Sequence, residues 1–162
     1  MNAEPLLVRI VKAFHKHSLE VILIGNAAAA LHGAPVTTLD FDFMYRKTPG
    51  NLEKLKAVAR QLDAIILSSY YPVSSLLRVV NDDEGIQLDF MSQVDGVSTF
   101  ASLRSRAVKV NFKGYDLLVA SLEDIIKSKK EAGRQRDKAV LPILNKALRE
   151  NEKIKKEKIK KN

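Results

Sequence analysis

Apolar side chains recur at helical spacing in residues 5–17 (PLLVRIVKAFHKH), where Leu6, Leu7, Ile10, Val11 and Phe14 form one stripe and Pro5 suits a first turn. Residues 20–24 (EVILI) then run almost continuously apolar, the pattern of a buried strand. Gly25-Asn26 ends that strand, and the Ala-rich stretch that follows predicts a short helix with Asn26 as its cap. Gly33 and Pro35 close it. Residues 38–45 (TLDFDFMY) alternate strictly, so Leu39, Phe41 and Phe43 share one face. A turn at Thr48-Pro49-Gly50 leads to an amphipathic helix over 51–63.

Further along, residues 64–67 predict a short strand. Residues 76–80 (LLRVV) and 86–91 (IQLDFM) flank a polar, Gly-containing loop, the signature of a β-hairpin. A short helix over 98–105 follows, then strands over 107–112 and 115–119 around Lys113-Gly114. The helix over 121–132 begins at Ser121 with Asp124 three residues on, close to a capping box. Gly133 ends it, and 135–149 form a last helix. Helices and strands are mixed and the middle holds a hairpin, so the expected class is α/β (α+β) with a mixed sheet.

The chain has 162 residues, 46% of them hydrophobic, enough for one domain with a real core and too apolar for a disordered chain. No apolar run reaches the roughly 18–20 residues of a membrane-spanning helix. Glu4 and Pro5 interrupt the amphipathic N-terminus, which does not read as a signal peptide. With no cysteine, disulfide scaffolds, thiolate metal sites and cysteine nucleophiles are excluded, and a cytoplasmic location is expected. The net charge is +8. Residues 149–162 (RENEKIKKEKIKKN) hold seven basic and three acidic side chains, a net of +4. The expected organisation is therefore a domain over 1–148 and a basic tail over 149–162, either solvated or continuing the last helix. Surplus positive charge favours polyanions such as RNA. Oligomeric state is not legible.

Three carboxylates call for an explanation. Asp40 and Asp42 stand two apart in an apolar strand, so period-two geometry puts both on one face. Like charges there repel, and partial burial penalises each further. Asp89 repeats the pattern between Leu88 and Phe90. One reading is that all three face water. The other is that they converge on Mg²⁺ or Mn²⁺, since hard cations take carboxylate oxygens together with water and substrate phosphates. Gly25-Asn26, at a strand-to-helix corner, offers backbone N–H groups to a phosphate. Lys127, Lys129, Lys130, Arg134, Arg136 and Lys138 cluster at a helix end. They either complement the helix dipole or include a lysine that neutralises nucleotide phosphates. His15 and His17 read as surface residues, and His32 closes the short helix.

These pieces, in this order, resemble the DNA polymerase β-like nucleotidyltransferase superfamily: a Gly-rich turn, a short helix, an acid–apolar–acid strand and a later third acid. The matching residues are Gly25-Asn26, Asp40-Phe41-Asp42 and Asp89. The stretch IGNAAAALHGAPVTTLDFDF is similar to stand-alone bacterial and archaeal members, including the abortive-infection toxin type. Leu122-Glu123-Asp124, Lys129, Ala132-Gly133-Arg134 and Asp137 match their C-terminal half. The resemblance implies a mixed, twisted sheet with flanking helices and transfer of a nucleoside monophosphate from an NTP to an acceptor hydroxyl. It implies that Asp40, Asp42 and Asp89 are catalytic and bind the metals, and that Gly25, Asn26, Lys129 and Arg134 bind the nucleotide. RNA (tRNA among them), a protein or a small molecule such as an aminoglycoside is the implied acceptor. Two departures stand out. Asn26 replaces a second Gly or Ser, and Val36 stands where relatives often carry Arg. The alternative reading is therefore a catalytically degenerate binding module or a toxin–antitoxin component.

Overall fold

The computed structural model describes residues 4–38, 40–68 and 75–161. Its elements in chain order are α1 (Leu6–Lys16), β1 (Val21–Ile24), α2 (Gly25–Leu31), β2 (Phe41–Tyr45), α3 (Pro49–Gln61), β3 (Ile65–Ser68), β4 (Leu77–Asn81) and β5 (Ile86–Met91). They continue with α4 (Phe100–Arg106), β6 (Val108–Phe112), β7 (Tyr115–Val119), α5 (Leu122–Ala132) and α6 (Gln135–Lys161). The seven strands form one mixed sheet in the order β3-β4-β5-β2-β1-β7-β6. β2 pairs β5, and β1 pairs β7, in parallel; the remaining neighbours are antiparallel. This is the mixed sheet with flanking helices that the alternation of patterns predicts.

The sheet separates a dry face from a partly wet one, on which Ile22, Ile24 and Met44 are still buried. Phe43 on β2 and Phe90 on β5 are register partners and both fully buried. Their rings stack at 5.2 Å, and Phe14 of α1 meets Phe43 edge-on at 5.1 Å. Such aromatic contacts add roughly 0.5–1.5 kcal/mol each beyond the area they bury. Because side chains alternate along a strand, anchoring Phe43 and Phe90 in the core turns Asp42 and Asp89 to the opposite face. The core thus sets where the acids point.

Several boundaries differ from the sequence expectation for local reasons. α3 begins at Pro49, two residues early, because the Thr48 side chain accepts a hydrogen bond from the Asn51 N–H and Pro49 fits the first turn. β2 begins at Phe41 rather than at residue 38. Ahead of it the Thr38 hydroxyl donates to the Asp40 carbonyl at 2.7 Å, a local turn that competes with sheet pairing. Leu39, expected on the core face, lies outside the described residues. Asn26 is not a cap: α2 starts at Gly25 directly off β1, and no side chain caps it.

Ser121 does cap α5. Its oxygen accepts from the Asp124 N–H, and its hydroxyl donates to the Asp124 carboxylate, which also receives Arg106 at 2.8 Å. Gly133 ends α5 in the left-handed region at φ 63°. α6 runs unbroken from 135 through the basic stretch to Lys161. Its 27 residues correspond to roughly 40 Å of helix. Asn151 ties the helix to the body by donating to the His32 carbonyl at 2.8 Å. Among the described residues, no helix is long and apolar enough to cross a membrane.

Candidate active site

On the wet face a cleft of about 1100 Å³ opens between the sheet and α5. It is lined by Gly25, Asn26, Asp40, Asp42, Asp89, Lys129 and Arg134 among others. The seven residues singled out from the sequence are therefore neighbours of one cavity.

Asp42 lies at its floor. Parallel pairing of β2 with β5 sets Asp42 directly beside Asp89, and antiparallel pairing with β1 sets it beside Ile24. Adjacent strands lie about 4.8 Å apart, so the two carboxylates crowd each other. Asp42 is half-buried, and among the described residues its carboxylate accepts no hydrogen bond. Its pKa is raised above the ordinary 3.8, first by burial, then by the charges of Asp89 and Asp40; Lys129 and Arg134 partly oppose this. Asp40 sits just ahead of the strand, exposed, and its carboxylate accepts a 3.4 Å hydrogen bond from the Gln87 amide.

Asp89 is different. Arg78 on β4 is its antiparallel partner and grips it with two hydrogen bonds, Nε to Oδ1 at 2.8 Å and Nη2 to Oδ2 at 3.2 Å. Sequence reading passed over Arg78, although counting outward from the hairpin loop pairs 78 with 89. It brings a cation to the acids, which the resemblance suggested was missing at Val36. Val36 itself is half-buried against the core. Among the described residues, no three His, Asp or Glu side chains are arranged to hold a metal ion.

The opposite wall is basic and rests on a buried acid. Asp137 is 1% exposed. It accepts Arg134 Nε at 2.7 Å, Arg134 Nη2 at 3.3 Å and the Arg134 backbone N–H at 3.2 Å, and Lys129 Nζ lies 3.8 Å away. Hydrogen bonding by Arg134 holds the Asp137 carboxyl below its ordinary value despite burial. Burial pulls Lys129 below its ordinary 10.5, against the pull of Asp137 and Asp42 in the other direction. Lys127 and Lys130, on the same helix, do not line the cleft. The histidines are occupied elsewhere: His15 with the Asp116 carbonyl, His17 with Gln61, and His32 with the Ala120 carbonyl.

The Gly25 corner is dictated by space. Its φ is +71°, and a Cβ there would stand 3.0 Å from Asp42 Oδ2. Only glycine lets the backbone pass this close to the carboxylate. Next to it, Asn26 Oδ1 is buried and, among the described residues, has no hydrogen-bond partner, an unsatisfied acceptor. Replacing Gly25 with Ala forces a left-handed alanine against the acid. A loss of about 1–2 kcal/mol is expected, read as a drop in the urea midpoint. An unchanged midpoint would mean that this corner relaxes freely.

Solved structures share this arrangement of elements. The antibiotic-resistance factor ANT(2'')-Ia, in its solution structure, superimposes with a TM-score of 0.63 at 14% identity, covering 92% of this chain and 86% of that one. The same protein in complex with adenylyl-2''-tobramycin gives 0.61 at 16% identity over 88% and 87%. TM1012 of Thermotoga maritima, a candidate nucleotidyltransferase, gives 0.58 at 19% identity over 87% and 91%. At such identities the likeness shows the fold alone, the one these structures share. No curated protein matches the chain. The family described as "Nucleotidyl transferase of unknown function (DUF2204)" matches residues 4–162, and the chain belongs to it.

Proposed function

We propose that this protein transfers a nucleoside monophosphate from an NTP to an acceptor hydroxyl, with Asp40 and Asp42 holding Mg²⁺ or Mn²⁺. The observation that carries this reading is the state of Asp42. A half-buried carboxylate that accepts no hydrogen bond among the described residues, beside two further acids, is costly without a cation. The donor set fits a hard divalent ion, since one or two carboxylates, completed by water and substrate phosphates, suit Mg²⁺. When bound, such an ion supplies charge neutralisation at the phosphoryl oxygens.

The chain's own residues provide the rest. Lys129, steadied by Asp137, presents an ammonium to the β- and γ-phosphates across the cleft from the acids, and Arg134 adds a second positive charge. Gly25 leaves room for the Asp42 carboxylate at the corner where the phosphates would approach, and Asn26 offers its amide at the same corner. Asp89 lies on the acceptor side. In the reaction a bond forms from the acceptor oxygen to the α-phosphorus, the bond from that phosphorus to the β-bridging oxygen breaks, and pyrophosphate leaves. The hydroxyl proton passes to a carboxylate of the cluster or to water. Positioning and charge neutralisation carry most of the acceleration in such transfers.

RNA is the acceptor class favoured by the charge of the chain and by the basic end of α6. The adenylylated aminoglycoside in the ANT(2'')-Ia complex makes a small hydroxylated molecule the second candidate. The test incubates the protein with each α-labelled NTP, Mg²⁺ or Mn²⁺, and separately total RNA, a protein extract or tobramycin. Metal-dependent label in one acceptor pool is expected. The absence of label in every pool, together with no Mg²⁺- and NTP-dependent rise in melting temperature, would overturn the proposal in favour of a degenerate binding module.

A further inference from the structure

Arg78 has no place in the chemistry above, and its grip on Asp89 is specific. Two parallel N–H···O bonds engage both carboxylate oxygens, the strongest form of arginine–carboxylate contact. The Asp89 side chain is 12% exposed and has little room to move, whereas that of Arg78 is 44% exposed and can swing into solvent. Arg78 also feels the fields of Asp40 and Asp42, so it is the cation of this wall of the cleft. Lys129 and Arg134 are committed to Asp137 on the other wall.

We propose that Arg78 is a resident counter-ion that masks Asp89, so that the third carboxylate becomes a divalent-cation ligand only when the guanidinium lets go. A divalent ion and a guanidinium compete for the same two oxygens, and holding both would set positive charges side by side. Asp40 and Asp42 form a permanent half of the site and Asp89 a conditional half. Arg78 is thus a positioning residue acting through Asp89. The inference rests on the metal-binding reading of Asp40 and Asp42, and the test separates the two.

The test titrates Mn²⁺, without nucleotide, into the full chain by calorimetry and by the electron paramagnetic resonance of free Mn²⁺. Arg78→Gln is expected to bind Mn²⁺ about tenfold more tightly than the unaltered protein, the scale of one lost charge-assisted contact. Arg78→Lys keeps the charge but cannot grip both oxygens, and should fall in between. In an Asp89→Asn background, Arg78→Gln should change nothing, which separates unmasking of Asp89 from a general loss of positive charge. Binding by Arg78→Gln no tighter than by the unaltered protein overturns the inference. So does tightening that persists in the Asp89→Asn background. If Mn²⁺ binds the unaltered protein and is lost in Asp42→Asn, the metal-binding reading survives either of those results. If no variant binds Mn²⁺, both fall.

Discussion

Asp42→Asn is expected to lower metal-dependent nucleotide transfer by about 10²–10³-fold, the scale seen when one preorganised electrostatic partner of a reacting group is removed. The fold should survive, because the carboxamide has the same shape and the carboxylate accepts no hydrogen bond among the described residues. The same substitution should raise the melting temperature at neutral pH. Asp42 has a folded-state pKa above the ordinary 3.8, so the folded protein holds its proton more tightly than the unfolded chain. Stability from this group therefore falls as pH rises from about 3.8 through the raised folded value, and the full penalty is present above that. Asparagine removes the penalty. The gain over the unaltered protein should be largest at neutral pH and vanish below 3.8. A variant with full transfer activity, or one that melts lower at neutral pH, contradicts the assignment of Asp42 as a strained metal ligand. Lost activity combined with gained stability is the signature of a residue kept for chemistry.

Asp137→Asn is expected to produce the largest loss of stability, about 3 kcal/mol at neutral pH, the lower end for breaking a buried ion pair by removing one partner. For a chain of this size that corresponds to a drop of roughly 6–12 °C in melting temperature. The sign of the pH dependence is opposite to that at Asp42. The folded-state pKa of Asp137 is depressed, so its contribution is fully present above the unfolded value and is lost as pH falls through the folded value, below 3.8. The gap between the unaltered protein and the variant should therefore close in acid. Equal melting at neutral pH, or a gap indifferent to acid, contradicts this account. A higher KM for NTP should accompany the loss, since Lys129 and Arg134 no longer share an anchor.

How the chain reveals these features differs from residue to residue. The direction of Asp42 was legible because a period of two is geometric: an acid between two phenylalanines packed on the core has one direction left to point, whereas Asp40, expected in the same strand, lies ahead of it. The Gly25 corner was visible as a break between an apolar run and an alanine helix. Its true constraint was not visible, because the demand for glycine comes from Asp42 Oδ2, seventeen positions away in the chain. Asn26 looked like a cap because asparagine is a good one, but a helix leaving the strand without an intervening turn puts the cap position at Ile24, so Asn26 comes two residues too late.

What the sequence by itself determined is the order of elements and the mixed sheet, because both follow from local periodicity; the choice of the carboxylates and basic residues that line one cleft came with the family resemblance. What only the tertiary structure decided is how those charges are paired. Arg78 drew no attention beside Asp89, and Asp137 stood out only as a match to the resembling family's C-terminal half. Strand register and the packing of α5 against α6 made the first two a bidentate pair and buried the third under Lys129 and Arg134. Pairing of this kind depends on distances of a few ångströms between segments remote in the chain. Coulomb and hydrogen-bond energies change steeply over such distances; a local pattern encodes at most the register, as the hairpin does for 78 and 89, and not the grip of one side chain on another.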